Sequence, residues 1–215
     1  MKKLLMASVA MAGLGFAAPA SADDMFSAKS DGDWMVRLRG IAVIPNDDDD
    51  LGIAGLDTSI DTAIVPELDI TYFFTPNIAA ELILATAPHE VSAQGAVDAS
   101  LGDVWLLPPT LTLQYHVTEL GAFKPYVGAG VNYTIFYNED GGAFDVDYDD
   151  SFGFVLQAGL DYEVAEGLYV NADVKKVWLS TDVTVTNPAA GGAFVTSGDV
   201  DIDPWIIGFG AGYRF

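Results

Sequence analysis

Cysteine is absent from this 215-residue chain, so disulfides are excluded and the redox compartment stays open. Basic residues are scarce: 9 lysines and arginines stand against 31 acidic residues, for a net charge of −22. A chain this acidic is a poor binder of nucleic acid, whose phosphates it repels. Long apolar runs are also missing: after residue 22 none approaches the ~18 residues of a transmembrane helix. Any membrane-spanning part must therefore consist of strands.

Apolar residues are nevertheless abundant. Hydrophobic side chains make up 51% of the sequence, and its mean hydropathy is +0.29. This composition excludes intrinsic disorder, and the length predicts one domain.

The first 22 residues have the features of a secretory signal peptide. Lys2 and Lys3 form a basic start, an uncharged apolar run follows, and Ala20-Ser21-Ala22 is a small-residue cleavage site. An uncleaved anchor is the alternative, but the run is short and is broken by two glycines and a proline. We expect a signal peptide over residues 1–22 and a mature domain over residues 23–215. Cleavage would remove 2 of the 9 basic residues and no acid, leaving 7 − 31, a charge of −24.

The last stretch, residues 203–215, shows the clearest strand pattern. One face is aromatic and apolar and carries Trp205, Ile207, Phe209, Ala211, Tyr213 and Phe215. The other face holds Ile206, Gly208, Gly210, Gly212 and Arg214. An aromatic final residue with no turn after it is typical of the closing strand of an outer-membrane barrel. We expect Phe209, Tyr213 and Phe215 to close the barrel and to form its signal for the barrel-assembly machinery.

Eight segments follow this period of two. They are residues 33–44, 64–74, 78–88, 108–118, 125–137, 151–164, 168–186 and 203–215, with bulges or interface positions expected near Tyr162, Glu163 and Lys176. Their connections alternate between long and short. The long ones are residues 45–63, 89–107, 138–150 and 187–199. This asymmetry predicts an all-β fold: a closed, up-and-down, eight-stranded antiparallel transmembrane β-barrel with short periplasmic turns and long extracellular loops.

Eight strands enclose a lumen too narrow for a wide aqueous pore. Charged residues of both signs fall on its inner face near the short-turn end: Arg37, Arg39, Asp69, Glu81, Asp161, Glu163, Asp173 and Arg214. Opposite charges that pair across the lumen become tolerable in a buried setting. We therefore expect a polar lumen plug; the alternative is a set of solvated lumen residues.

The opposite end of the lumen is apolar. Inward positions there include Ile41, Val43, Phe136, Val177 and Leu179, and the segment 104–109, Val-Trp-Leu-Leu-Pro-Pro, is apolar as well. An outward-opening apolar pocket above a charged plug suits a small hydrophobic guest. A small core that stiffens the barrel explains the same residues equally well.

Three ordered motifs resemble the outer membrane protein W family. They are residues 105–116, WLLPPTLTLQYH; residues 124–134, KPYVGAGVNYT; and DPW at 203–205 with AGYRF at 211–215. The resemblance covers essentially the whole mature chain. It implies a monomeric barrel of Gram-negative outer membranes that passes small hydrophobic molecules from outside and releases them sideways into the bilayer, as proposed for the related alkane-uptake barrels. It also implies that Trp105, Leu106 and Leu107 border the hydrophobic passage, to which the inward strand positions add Ile41, Val43 and Phe136.

Other signals are weaker. The acidic runs at Asp47–Asp50 and Asp145–Asp150 lack calcium-loop spacing, and no metal or cofactor is expected. His89 and His116 have no catalytic signature beside them, so we expect no enzyme. The competing function is a structural or surface-interaction barrel whose acidic loops contact ions, lipopolysaccharide or host molecules. Outer-membrane lipid and lipopolysaccharide are expected partners in either case.

Overall fold

The computed structural model describes residues 32–45, 56–60, 62–95, 99–140, 145–187, 191 and 193–215. The expected signal peptide and the run Asp47–Asp50 lie outside these residues. No helix in the described part of the chain is long and apolar enough to cross a membrane.

The described residues form fourteen β-strands. In chain order they are β1 (Trp34–Ile44), β2 (Leu56–Ile60), β3 (Ala63–Phe73), β4 (Ile78–Ala85), β5 (Ala87–Gly95), β6 (Ala99–Leu107), β7 (Thr110–His116), β8 (Phe123–Asp140), β9 (Asp145–Tyr148), β10 (Ser151–Ala165), β11 (Leu168–Trp178), β12 (Ser180–Asn187), β13 (Ala193–Asp201) and β14 (Trp205–Arg214).

Eight of these strands close into a barrel. Antiparallel pairing runs β1–β3–β4–β7–β8–β10–β11–β14, and β14 returns to β1. At the seam, the amides of Trp34 and Phe215 donate to each other's carbonyl oxygens at 3.0 and 2.9 Å. The predicted closed, eight-stranded antiparallel barrel is therefore confirmed.

The two faces of each barrel strand differ in polarity, and the outer face is the apolar one. In β7, Leu111, Leu113 and Tyr115 are 53%, 59% and 54% exposed, whereas Thr112 and Gln114 are each 1% exposed. A water-soluble barrel would reverse this arrangement, because exposed apolar surface is costly in water. The pattern fits a wall solvated by hydrocarbon on the outside and packed with polar groups on the inside.

The long connections contain strands where the sequence analysis placed loops, apart from β12, which continues the predicted seventh strand after a break at Leu179. β2, β5 and β6 extend the barrel sheet beside an elongated β8, and β9, β12 and β13 form a separate three-stranded sheet. The predicted third strand accordingly ends at Ala85, and the seventh ends at Trp178 before β12 begins. Backbone groups beyond the barrel still need hydrogen-bond partners, and hairpin pairing supplies them even where side-chain alternation is weak.

A bulge occurs at one of the two places where the sequence predicted a bulge or an interface position. Pairing between β10 and β11 shifts between Glu163 and Ala165, which is a bulge beside the turn at Gly167. Pairing with β10 continues without interruption through Lys176 to Trp178, and pairing with β14 ends at Lys176 opposite Trp205. Lys176 is therefore not a bulge residue, and an interface position is the remaining expectation for it.

Candidate functional site

The barrel interior is filled by side chains in layers. A periplasmic cluster near the short turns consists of Met35, Phe73, Ala79 and Tyr169. An ionic layer above it consists of Arg37, Arg39, Lys175, Glu67, Asp69, Glu81, Asp161 and Asp173. Three apolar clusters lie toward the long connections.

Arg37 of β1 links two far strands. Its Nη1 donates to Glu81 Oε1 at 2.7 Å and to Thr71 Oγ1 at 2.8 Å. Its Nη2 and Nε donate to the two oxygens of Asp161 at 2.6 and 3.2 Å. The guanidinium geometry suits this forked contact, which fixes both groups more strongly than a single ion contact does.

Arg39 gathers the acids on the other side of the layer. Its Nε lies 2.7 Å from Asp69 Oδ2 and 2.9 Å from Glu67 Oε1, and its Nη1 lies 2.7 Å from Asp173 Oδ2. Lys175 adds contacts of 2.7 Å to Glu67 Oε1 and 3.4 Å to Asp173 Oδ2. Such pairing is what makes buried charge tolerable.

Neutral side chains complete the cross-lumen contacts. Gln114 Nε2 donates to Glu81 Oε2 at 2.6 Å and to Gln157 Oε1 at 3.0 Å. Gln157 Nε2 in turn donates to Asp173 Oδ2 at 2.8 Å. His116 stacks on Tyr126 at 4.8 Å and contacts Gln114 Oε1 at 2.9 Å, so it is a hydrogen-bonded lumen residue.

Glycines provide the space for these large side chains. A Cβ on Gly212 would lie 2.6 Å from Arg37 Cγ, and one on Gly210 would lie 2.8 Å from Arg39 Cγ. On β10, a Cβ on Gly159 would lie 2.4 Å from the Tyr126 ring. The small inward face of β14 is therefore the surface on which the two arginines lie.

The periplasmic end holds the remaining charges. Lys124 Nζ lies 3.4 Å from Glu163 Oε2, and Arg214 Nε lies 3.3 Å from Asp33 Oδ2. The Arg214 guanidinium also stacks over Phe73 at 3.7 Å. These groups surround the periplasmic cluster.

Apolar side chains form three clusters in the upper lumen. One cluster joins Ile41 and Val65 to Ile206, and a second joins Val155, Val177 and Leu179 to Ile202 and Ile206. The third packs Leu106, Tyr148 and Ile202 around Phe136. Because Ile206 and Ile202 are each shared by two clusters, the three form one apolar track.

The eight charged residues singled out in the sequence are all buried, at 0–6% exposure. Six lie in the ionic layer, whereas Glu163 and Arg214 lie lower, beside the periplasmic cluster. Sequence reasoning missed the lumen roles of Glu67 and Lys175 as ion-pair partners. The sequence did contain a signal for these roles. Both residues occupy inward positions of their strands, because each alternates with outward apolar neighbours.

The residues expected along a hydrophobic passage are also inward or half-buried. Ile41 and Phe136 are 2% and 9% exposed, and Val43 packs against the Ile41 cluster. Trp105, Leu106 and Leu107 are half-buried at the end of β6, where Leu106 pairs with Phe136 in register. Phe209, Tyr213 and Phe215 face outward, at 65%, 52% and 61% exposure.

The acidic residues that the structure describes are candidates for metal ligands. No group of three or more metal-capable side chains occurs within the part of the chain that the structure covers. Asp150 instead accepts hydrogen bonds from Tyr133 Oη at 2.8 Å and from the Phe136 amide at 3.3 Å.

A closed eight-stranded barrel with an apolar outer face and a charged, packed interior defines a transmembrane β-barrel protein. The sequence pattern of the OmpW family matches residues 30–215. The chain therefore belongs to the OmpW family, and it is a protein of the outer membrane.

Individual relatives agree with this assignment. The uncharacterized outer-membrane protein y4mB of Sinorhizobium fredii is 50% identical over 185 residues, covering 85% of this chain and 80% of that protein. The dibenzothiophene metabolism operon protein PahQ of Pseudomonas aeruginosa is 35% identical over 117 residues, covering 54% of this chain and 53% of PahQ. The crystal structure of the outer membrane protein OprG from Pseudomonas aeruginosa superposes with a TM-score of 0.78 at 34% identity, covering 86% of this chain and 97% of OprG.

Proposed function

We propose that this barrel takes up small hydrophobic molecules passively through its apolar upper lumen and releases them sideways into the bilayer above a closed ionic layer. The role is transport without catalysis. One observation carries the proposal: the three apolar clusters are joined through Ile202 and Ile206 into a track that begins beside Leu106 and ends directly above the charges.

The upper end of the track suits an apolar guest. Leu106 and Phe136 pack together where β6 meets β8, and Trp105 and Leu107 flank them. A small hydrophobic molecule gains free energy by leaving water for such a surface, roughly 25 cal/mol for each Å² of apolar area buried. A charged solute gains no such free energy from contact with this surface.

The ionic layer favours a lateral exit over a straight one. Arg37 and Arg39 are 0% and 1% exposed and span the lumen between β1, β10 and β11. A guest without polar groups would have to separate these ion pairs to reach the periplasm, which leaves buried charges uncompensated. The acyl chains outside the barrel are the less costly destination.

The name of one relative supports a hydrophobic substrate class. PahQ is named for an operon of dibenzothiophene metabolism, and dibenzothiophene is an apolar aromatic compound. We extend this substrate class to the present chain as part of the proposal.

We further propose a monomer that is assembled through its C-terminal strand. A closed barrel leaves no barrel edge to pair with a second copy. Phe209, Tyr213 and Phe215 expose their rings on β14 and at its end, where an assembly factor could recognise them.

Uptake by variants of Leu106 tests the transport proposal. Leu106→Asp places a carboxylate against Phe136, and we expect uptake of the fluorescent probe N-phenyl-1-naphthylamine by cells or proteoliposomes to fall severalfold. Ser197→Asp is the matched control, because Ser197 is exposed on β13 and the variant adds the same charge. Wild-type uptake by correctly inserted Leu106→Asp would refute the proposal.

A further inference from the structure

Lys176 differs from the other basic residues that the structure describes. Arg37, Arg39, Lys124, Lys175 and Arg214 each lie within 4.0 Å of a carboxylate oxygen. Within the described ranges, Lys176 has no such partner. Among the six lysines and arginines that the structure describes, it is therefore the one that is not paired with a described carboxylate.

Lys176 is also on the outer wall of the barrel. Its β11 neighbours Lys175 and Val177 are buried, whereas Lys176 follows Val174 and precedes Trp178 on the lipid-facing side. The next outward positions, Ser180 and Asp182 of β12, are exposed and polar. Lys176 therefore lies one outward position below Trp178 and Phe154, near the top of the apolar band and within reach of the lipid headgroups above it.

Neighbouring groups hold the ammonium at this edge. Lys176 Nζ donates to the backbone carbonyl of Asp203 and lies 5.4 Å from the centroid of the Trp205 ring. Asp203 has a φ of 34° and accepts a hydrogen bond from the Leu179 amide on its Oδ1 at 2.8 Å, which fixes the turn. An ammonium has three N–H donors, so one bond to Asp203 leaves capacity for an anion.

A groove of about 840 Å³ leads away from this ammonium along the outer wall. Lys176, Trp178 and Trp205 line one end, and Tyr115 and Ile78 line the other. Ala129 and Ala158 lie between them on the adjacent strands β8 and β10, opposite Leu156 and Val127. Small side chains among larger ones create a channel that spans six strands, from β14 to β4, or roughly 24 Å at the spacing of a sheet.

We propose that this groove binds an outer-leaflet glycolipid, with a phosphate of lipid A at Lys176 and one of its acyl chains along Ala129 and Ala158. The site lies on the opposite face of the wall from the apolar track, so it does not depend on the uptake role. Charge complementarity selects a phosphorylated headgroup, and the apolar groove selects an attached chain over free phosphate. The two tryptophans occupy the interfacial level that aromatic rings prefer.

Binding of lipid A to the purified full chain tests the site. Native mass spectrometry in detergent compares bis-phosphorylated lipid A with the same lipid after removal of its phosphates. Wild type should bind the phosphorylated form roughly tenfold or more tightly, since a hydrogen bond to a charged group is the stronger kind. Equal affinity for the two lipids would overturn the proposal without any variant being needed.

Separate substitutions test the charge of the site and its groove. Lys176→Leu should lose the preference for the phosphorylated lipid, and Lys176→Arg should keep it. Ala158→Phe should fill the groove and weaken binding, whereas Ala172→Phe, on the exposed face of β11 outside the groove, should not. An unchanged preference in Lys176→Leu, or equal competition by phosphatidylglycerol or inorganic phosphate, would show that the site is not one for lipid A.

Discussion

Arg37 and Asp161 form a forked ion pair across the barrel, with contacts of 2.6 and 3.2 Å between residues 124 positions apart in the chain. Three strand boundaries separate β1 from β10 along the wall through β14 and β11. The pair therefore joins opposite sides of the lumen, and its loss should lower the free energy of unfolding of the whole barrel.

The variant Arg37→Met tests the contribution of this ion pair to stability. The variant leaves Asp161 and Glu81 without their shared cation, and we expect the free energy of unfolding in urea to fall by about 3–5 kcal/mol. The double variant Arg37→Met/Asp161→Asn should be destabilised by less than the sum of the two single variants. Strict additivity would contradict a direct coupling between these residues.

The ionic layer should respond unequally to the loss of a base and of an acid. It contains three bases and five carboxylates, so the bases are in deficit. Arg39→Met strips a cation from Glu67, Asp69 and Asp173 and should cost about 3–5 kcal/mol. Asp69→Asn removes one of the excess charges and should cost about 1 kcal/mol. Equal costs in the same urea titration would show that charge balance does not govern the layer.

Gly159 should not tolerate a methyl group. A Cβ there would lie 2.4 Å from the Tyr126 ring, so Gly159→Ala should lower the unfolding free energy by about 1–3 kcal/mol. Gly40→Ala is the matched control, because nothing lies within 4 Å of its added Cβ on the outer face of β1. Adding Tyr126→Leu to Gly159→Ala should recover part of the loss, and no recovery would point to a cause other than the ring.

Opening the ionic layer should admit ions without changing the uptake of apolar molecules. Arg37→Ala/Asp161→Ala removes one charge of each sign, and we expect its conductance in planar bilayers to rise severalfold above that of wild type. The control, Thr110→Ala/Asn132→Ala, removes a neutral cross-strand pair that is hydrogen-bonded at 2.7 Å. Probe uptake that rises together with conductance would contradict lateral release.

The terminal ring should matter for assembly and not for stability. Phe215 is 61% exposed, and only its backbone joins the seam with Trp34. Phe215→Ala should therefore reduce the amount of inserted barrel in cells severalfold while purified protein refolds normally in detergent. Phe154→Ala, at 73% exposure on β10, should leave assembly unchanged. Equal defects in the two variants would argue against a C-terminal signal.

The inner and outer faces of the barrel could be predicted from the sequence because a strand has a period of two. Arg37, Glu81 and Asp161 are buried where parity placed them. Their partners could not be predicted, since pairing across the lumen depends on strand tilt and stagger. Lys175 and Glu67, for example, meet at 2.7 Å from positions 108 residues apart.

The periplasmic cluster and the outer strands other than β12 were missed for different reasons. Met35 and Phe73 share parity with Arg37 and Thr71, but inward apolar side chains below a charged layer run against a uniformly polar lumen. β9 and β13 pair with β12 through backbone hydrogen bonds, which do not depend on side-chain pattern. Side-chain alternation, which marked the barrel strands and β12, did not mark β9 and β13.

The glycines of β14 connect the two ends of the chain during folding. Arg37 and Arg39 enter early from β1, but the small surface that receives them arrives only with the final strand. Acidic partners of both arginines already lie on β3 and β4, but the space beside the two side chains is complete only when β14 pairs with β1. Closure of the seam therefore also completes the packing around Arg37 and Arg39, so an error in the last ten residues disturbs the ionic layer as well as the seam.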